Sequence, residues 1–225
     1  MPKHSPAGAA ALTEELLLEA AQMLARQDDH LARILASHGP PPLWARPPGF
    51  ATLLYIILEQ QVSLASARAA FKRLSEAISP VLPENFLKLD DVQLKLIGFS
   101  RQKMRYGRIL ARAILDGELD LESLHNMGDQ AVRAELMKIK GIGRWTADIY
   151  LMEALLRPDI WPSGDLALAV AVQRVKGFDS VPTHAELDLL GEAYKPWRAV
   201  AARFFWHDYL SNPVRRPRPA AGPVS

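Results

Sequence analysis

With 225 residues and a net charge of +2, the chain is long enough to bury its own core, and the absence of cysteine excludes disulfides, thiolate metal sites, cysteine nucleophiles and iron–sulfur clusters. The opening MPKHSPAGAAALTEE has too short an apolar run for a signal peptide, and no later run approaches the roughly 20 apolar residues of a membrane span. A soluble, intracellular (cytoplasmic) protein is predicted, whose basic residues gather in RQKMRYGR (Arg101 to Arg108), in KIKGIGR (Lys138 to Arg144) and in the tail VRRPRP.

Along the chain, residues 1–10 and 213–225 are rich in proline, alanine and small residues and are predicted to be disordered, leaving 11–212 as the folded body. A helical pair comes first, followed by the proline-rich connector GPPPLWARPPGF (Gly39 to Phe50). Leu53, Leu54, Ile57, Leu58 and Gln61 then mark one face of a helix, and Ser63 can cap the next. Ser100 can cap another helix, striped by Tyr106, Ile109, Leu110, Ala113 and Ile114. Breaks fall near Pro80 to Pro83, Gly98, Gly117, Gly128, Pro158 to Gly164, Gly177 to Pro182 and Pro196, and Thr183 to Glu186 reads as a capping box. No stretch alternates like a half-buried strand, so roughly ten helices and an all-α fold are predicted.

The densest signal is LMKIKGIGRWTADIYLMEALL (Leu136 to Leu156). Asp129 can cap a helix running to about Ile139, and a second helix is expected from Trp145 or Thr146 to about Leu156, with only Gly141-Ile142-Gly143 as the turn. Glycines permit positive φ and remove the Cβ, so backbone amides at the second helix's N-terminus can approach a phosphate. Ile142 would plug the turn into the core, and Lys138, Lys140 and Arg144 would add positive charge. An ordinary αα-hairpin is the plain alternative. Further on, Asp165 follows Pro162-Ser163-Gly164 and opens a new helical run, where the helix dipole favours its ionised carboxylate; simple N-capping would explain it equally.

The run from Lys138 to Asp148 resembles the helix-hairpin-helix motif of DNA-binding proteins. Four stretches in this order, LEQQVSLASA (Leu58 to Ala67), KIKGIGRWTADIYLM (Lys138 to Met152), WPSGDLAL (Trp161 to Leu168) and YKPWRAVAARFFWHDY (Tyr194 to Tyr209), are similar to the 3-methyladenine DNA glycosylase II family of the helix-hairpin-helix DNA glycosylase superfamily. The resemblance implies a two-lobed α-helical body with a cleft between the lobes, a helix-hairpin-helix at about 129–156 and, from the short material ahead of Pro40, no preceding β domain. It implies excision of alkylated bases from double-stranded DNA by a monomeric enzyme that needs no cofactor.

By the same resemblance Asp165 is the catalytic carboxylate, and Trp145 and Trp206 are walls of the base pocket, with Tyr150 beside them. Gln61 is the wedge that fills the duplex, and Lys140, Gly141, Ile142, Gly143 and Arg144 meet the DNA backbone. A monovalent cation, Na⁺ or K⁺, is implied on backbone carbonyls of Ile139 and Ile142. Some relatives have leucine at the wedge and tyrosine four residues after the hairpin tryptophan; Gln61 and Ile149 stand there, so the pocket is expected to differ in shape. Trp44, Trp161 and Trp197 are expected in the core, and Asp148 could cap, pair with Arg144 or border the cleft.

The chemistry fits these residue types. Breaking an N-glycosidic bond builds positive charge on the sugar, which a shielded carboxylate stabilises, and indoles attract a cationic purine. Lyase activity would need an amine, and lyase relatives carry lysine where Trp145 stands. The six histidines show no metal-ligand spacing. A non-catalytic DNA-damage-binding protein, or a glycosylase for another lesion, are the alternatives.

Overall fold

A computed structural model describes residues 11–212; the predicted disorder of 1–10 and 213–225 lies outside the described residues. Among these there are twelve α-helices, one 3₁₀ turn and no strand. The excess over the expected ten lies in short pieces such as α5 (Pro83–Phe86) and α6 (Asp91–Ile97), too brief to show a periodic stripe.

The expected caps hold. Ser63 accepts from Ser66 N–H at the start of α4 (Leu64–Ala77), Ser100 from Lys103 N–H at the start of α7 (Arg101–Leu115), and Thr183 with Glu186 closes a capping box on α11 (His184–Glu192). Asp129 is a correction: Gly128 is the N-cap of α8 (Asp129–Met137), and the Asp129 carboxylate lies 3.6 Å from Arg157 Nε instead. An ion-pair partner supplied by a distant loop outcompetes the local amide.

The fold has two lobes. One is a continuous segment: α3 (Phe50–Glu59) packs on α4 and α7, with α5 and α6 closing around them. Phe50, Leu53, Leu54, Ile56, Ile57 and Leu58 are all buried, so α3 is apolar on every side and forms the lobe's axis. The other lobe joins the two ends of the chain. α1 (Glu14–Gln27) and α2 (Asp29–His38) pack on each other and on α12 (Arg198–Ser211), which also holds α10 (Leu166–Lys176). Asp28, between α1 and α2, accepts hydrogen bonds from Lys176 Nζ and from Tyr194 OH, at 2.8 Å for the latter. α9 (Arg144–Glu153) packs on α8 and on α3, and its Met152 carbonyl accepts from Arg203 of α12, so it bridges the two lobes.

No helix among the described residues is long and apolar enough to cross a membrane.

Candidate functional site

The hairpin between α8 and α9 is built around its two glycines, for different reasons. Gly141 has φ of +104°, and a Cβ there would stand 2.3 Å from Tyr106 Cγ on α7. Both backbone and packing therefore require glycine. Gly143 is extended, and a Cβ would meet no atom within 4 Å. Nothing inside the chain demands its smoothness; it leaves an open backbone surface at the start of α9, where no side chain caps the first amides. Ile142 is 5% exposed and anchors the turn as expected. Of the three cations, Lys138 pairs with Glu135, Arg144 lies 3.6 Å from Asp148, and Lys140 is exposed without an ion pair among the described residues.

Gln61 stands beside this hairpin. It is exposed and left-handed, with φ of +57°, a conformation uncommon outside glycine and typical of strained functional turns. Its neighbour Gln60 holds the bend: the side-chain amide donates to Gly141 O and to Thr146 Oγ1, both at 2.9 Å. Sequence reasoning passed over Gln60, since only the fold brings residues 81 and 86 positions apart together.

Asp165 is the N-cap of α10, its Oδ1 accepting from Leu168 N–H at 2.6 Å. It does more than cap. Trp145 Nε1 donates to Oδ2 at 2.8 Å and Trp206 Nε1 donates to Oδ1 at 3.1 Å, so indoles from α9 and α12 converge on the carboxylate. Three donors use three of the roughly four lone-pair sites of an ionised carboxylate, which leaves one for a water or a sugar. Both tryptophans are half-buried and keep part of each ring open.

Two expectations, for Tyr150 and Trp44, are revised, and the open alternatives for Asp148 resolve to the pairing with Arg144. Tyr150 is wholly buried and its hydroxyl oxygen accepts from Gly49 N–H at 3.0 Å, so it braces the connector and offers no free face to a base. Trp44 is not core: the connector holds it half-exposed at φ of +50°, edge-on to Trp206 with ring centroids 6.4 Å apart. Asp148 is 1% exposed and forms ion pairs with Arg133 and Arg144, which makes it a brace for the start of α9. Trp161 is in the core as expected, 3% exposed, and Trp197 is half-buried.

A charged cluster that no local pattern announced lies at the other end of α9. Arg46 Nε is 2.7 Å from Glu153 Oε2, while its terminal nitrogens grip Glu59 at 3.1 and 2.8 Å and its guanidinium covers the ring of Tyr55. Burial pushes the Glu153 carboxyl up to about 7, against the pull of Arg46 and with the added repulsion of Glu59.

Residues 54–196 match the family described as HhH-GPD superfamily base excision DNA repair protein. The chain is 30% identical over 169 residues to the DNA-3-methyladenine glycosylase of Bacillus subtilis, covering 70% of this chain and 56% of that protein. Across the first three curated relatives it spans only 56–64% of their length. Among solved structures it is similar to the DNA-3-methyladenine glycosidase of Bacillus halodurans, with a TM-score of 0.68, 28% identity and coverage of 83% of this chain and 87% of the other. It also shares the fold of the Schizosaccharomyces pombe 3-methyladenine DNA glycosylase in complex with abasic DNA, with a TM-score of 0.78, 24% identity and coverage of 85% and 97%. A helical hairpin set against a carboxylate clasped by two tryptophans thus occurs in a chain that belongs to the HhH-GPD superfamily of base excision DNA repair proteins.

Proposed function

We propose that the protein is a monofunctional DNA glycosylase that hydrolyses the N-glycosidic bond of alkylated purines, of the 3-methyladenine type, in double-stranded DNA. The observation that carries this reading is the clasp on Asp165, which places one carboxylate between two half-open indoles. The names of the relatives point the same way.

In this reading the hairpin amides of Gly141 to Arg144 and the charge of Lys140 hold phosphate, while Gln61 fills the gap left by the extruded nucleotide. Trp145 and Trp206 face the cationic base, and Asp165 stabilises the developing positive charge on the sugar and takes a proton from the attacking water. A monovalent cation would be held by the carbonyls of Ile139 and Ile142. The Ile139 carbonyl already accepts from Ile142 N–H at 3.0 Å, but a carbonyl keeps a second lone pair, so the donor set fits. Such an ion would stiffen the turn. The protein acts inside the cell, as a monomer.

The test is release of free bases from a methylated duplex, run in parallel with borohydride trapping. Base release with an uncleaved abasic strand and no trapped adduct is expected, because the indole of Trp145 cannot form an imine. DNA binding without base release would mean a damage-binding protein, and efficient trapping would mean a lyase.

A further inference from the structure

Arg101, Arg105, Arg108 and Arg112 recur at every third or fourth position of α7, so their side chains share one face of that helix. They line a groove of about 290 Å³ whose one acidic lining residue is Asp91 of α6; two apolar side chains complete it. The Asp91 carboxylate pairs with Arg108, whose guanidinium also donates to Leu89 O at 3.1 Å. Arg101, Arg105 and Arg112 are exposed and have no carboxylate partner among the described residues.

The row works against the stability of its own helix. Like charges four residues apart repel, and Arg101 opens α7 with no acidic residue in the first turn, where the helix dipole favours negative charge. An anion supplied from outside would relieve both. The row also starts beside the hairpin. The Arg105 guanidinium lies 5.5 Å from the centre of the Tyr106 ring, and Tyr106 is the side chain on which Gly141 packs, with a Cβ there standing 2.3 Å from Tyr106 Cγ. In the same stretch Lys103 Nζ donates to Leu58 O at 2.6 Å, at the end of α3 that leads into Gln61. The start of α7 is thus tied to both turns that meet DNA in the reading above.

We infer that this face of α7 is a second phosphate track, along which the backbone of duplex DNA continues past the hairpin. The inference rests on the reading of the protein as one that holds duplex DNA. From Arg101 to Arg112 the row is roughly 16 Å long, about the axial rise of five phosphates along one strand. Guanidinium forks match phosphate oxygens in pairs. The groove has no aromatic ring on which bases could stack, so it suits the backbone of a duplex and not a single strand. Such contacts add affinity and fix register without reading the lesion.

The test is the salt dependence of binding by the whole protein to methylated and undamaged duplexes of equal length. The triple variant Arg101→Gln, Arg105→Gln, Arg112→Gln should flatten the slope of log K against log [salt] by about 2.7, at about 0.9 for each lost phosphate. Its affinity should fall by the same factor for both duplexes. Asp91→Asn frees Arg108 and should instead tighten binding and steepen the slope by up to about 0.9, an outcome that damage to the fold cannot imitate. An unchanged slope in the triple variant, a loss confined to the methylated duplex, or weaker binding by Asp91→Asn would overturn the track. Release of free base by the wild type from the same methylated duplex decides the glycosylase reading separately. Base release with an unchanged slope in the triple variant keeps that reading and removes the track, whereas a flattened slope without base release does the reverse.

Discussion

The side-chain amide of Gln60 donates to the backbone carbonyl of Gly141 at 2.9 Å and so fixes the bend that carries Gln61 against the hairpin. Its second bond reaches Thr146 Oγ1, which is buried. Gln60→Leu keeps the bulk but orphans both acceptors, and a cost of about 1–3 kcal/mol is expected in urea unfolding. The Gln61 turn and the hairpin would also move independently, so, if both meet DNA as proposed, the preference for damaged over undamaged duplex should shrink. Wild-type stability together with wild-type preference would show that the bond carries no strain between the two turns.

The two hairpin glycines should respond oppositely to alanine. Gly141→Ala places a methyl group against Tyr106 on a backbone that disfavours it, so the melting temperature should drop, with a loss of at least about 1–3 kcal/mol. Gly143→Ala meets open space and should melt like the wild type, yet bind any duplex several-fold more weakly as the methyl holds phosphate away. Equal DNA affinity for Gly143→Ala and wild type across a salt series would reduce the hairpin to a turn.

Asp165→Asn tests the clasp. Asparagine caps a helix as well as aspartate, so α10 should survive. One carboxylate oxygen, however, becomes an NH₂ group facing an indole N–H, which leaves a donor unmatched. We expect a stability loss of about 1–3 kcal/mol, retained duplex binding, and excision slower by roughly two orders of magnitude or more. Excision within a few-fold of wild type would remove Asp165 from the chemistry.

Glu153 also sets a pH dependence of stability. Its folded pKa is raised from the ordinary 4.5 to about 7, so in between the native state keeps a proton that the unfolded chain has released. Stability should decline as pH rises through that window, by up to about 3 kcal/mol. Glu153→Gln removes the titration. Its unfolding free energy relative to wild type should therefore improve steadily from about pH 5 to pH 7, and two parallel curves would contradict the raised value.

Local chemistry made much of the molecule readable. Ser63, Ser100 and Thr183 cap where a hydroxyl precedes an apolar stripe, and the hairpin's glycines, Asp165 and the two tryptophans sit in short recognisable stretches. What escaped depends on distance along the chain. Arg46 meets Glu59 after 13 residues, but Glu153 only through the docking of α9, and no composition or period marks such a pair in advance. Trp44 was expected in the core because tryptophan is more often core than pocket; its left-handed backbone turns it toward Trp206 instead. Tyr150 was misjudged for the converse reason, since the connector's Gly49 amide claims its hydroxyl.

The lobe made from the two ends of the chain dictates an order of events during synthesis. α3 to α7 are contiguous and can pack as soon as they leave the ribosome, whereas α1 and α2 emerge first but have no α12 to cover them until residue 211 has been added. α1 and α2 can pack on each other, but the part of Leu17, Leu24, Leu31 and Ile34 that their pairing leaves open stays uncovered until α12 arrives. The ion pair of Asp28 with Lys176, 148 positions away, is therefore among the last to form, and the Asp165 clasp, which needs Trp206 of the same late helix, is completed only then.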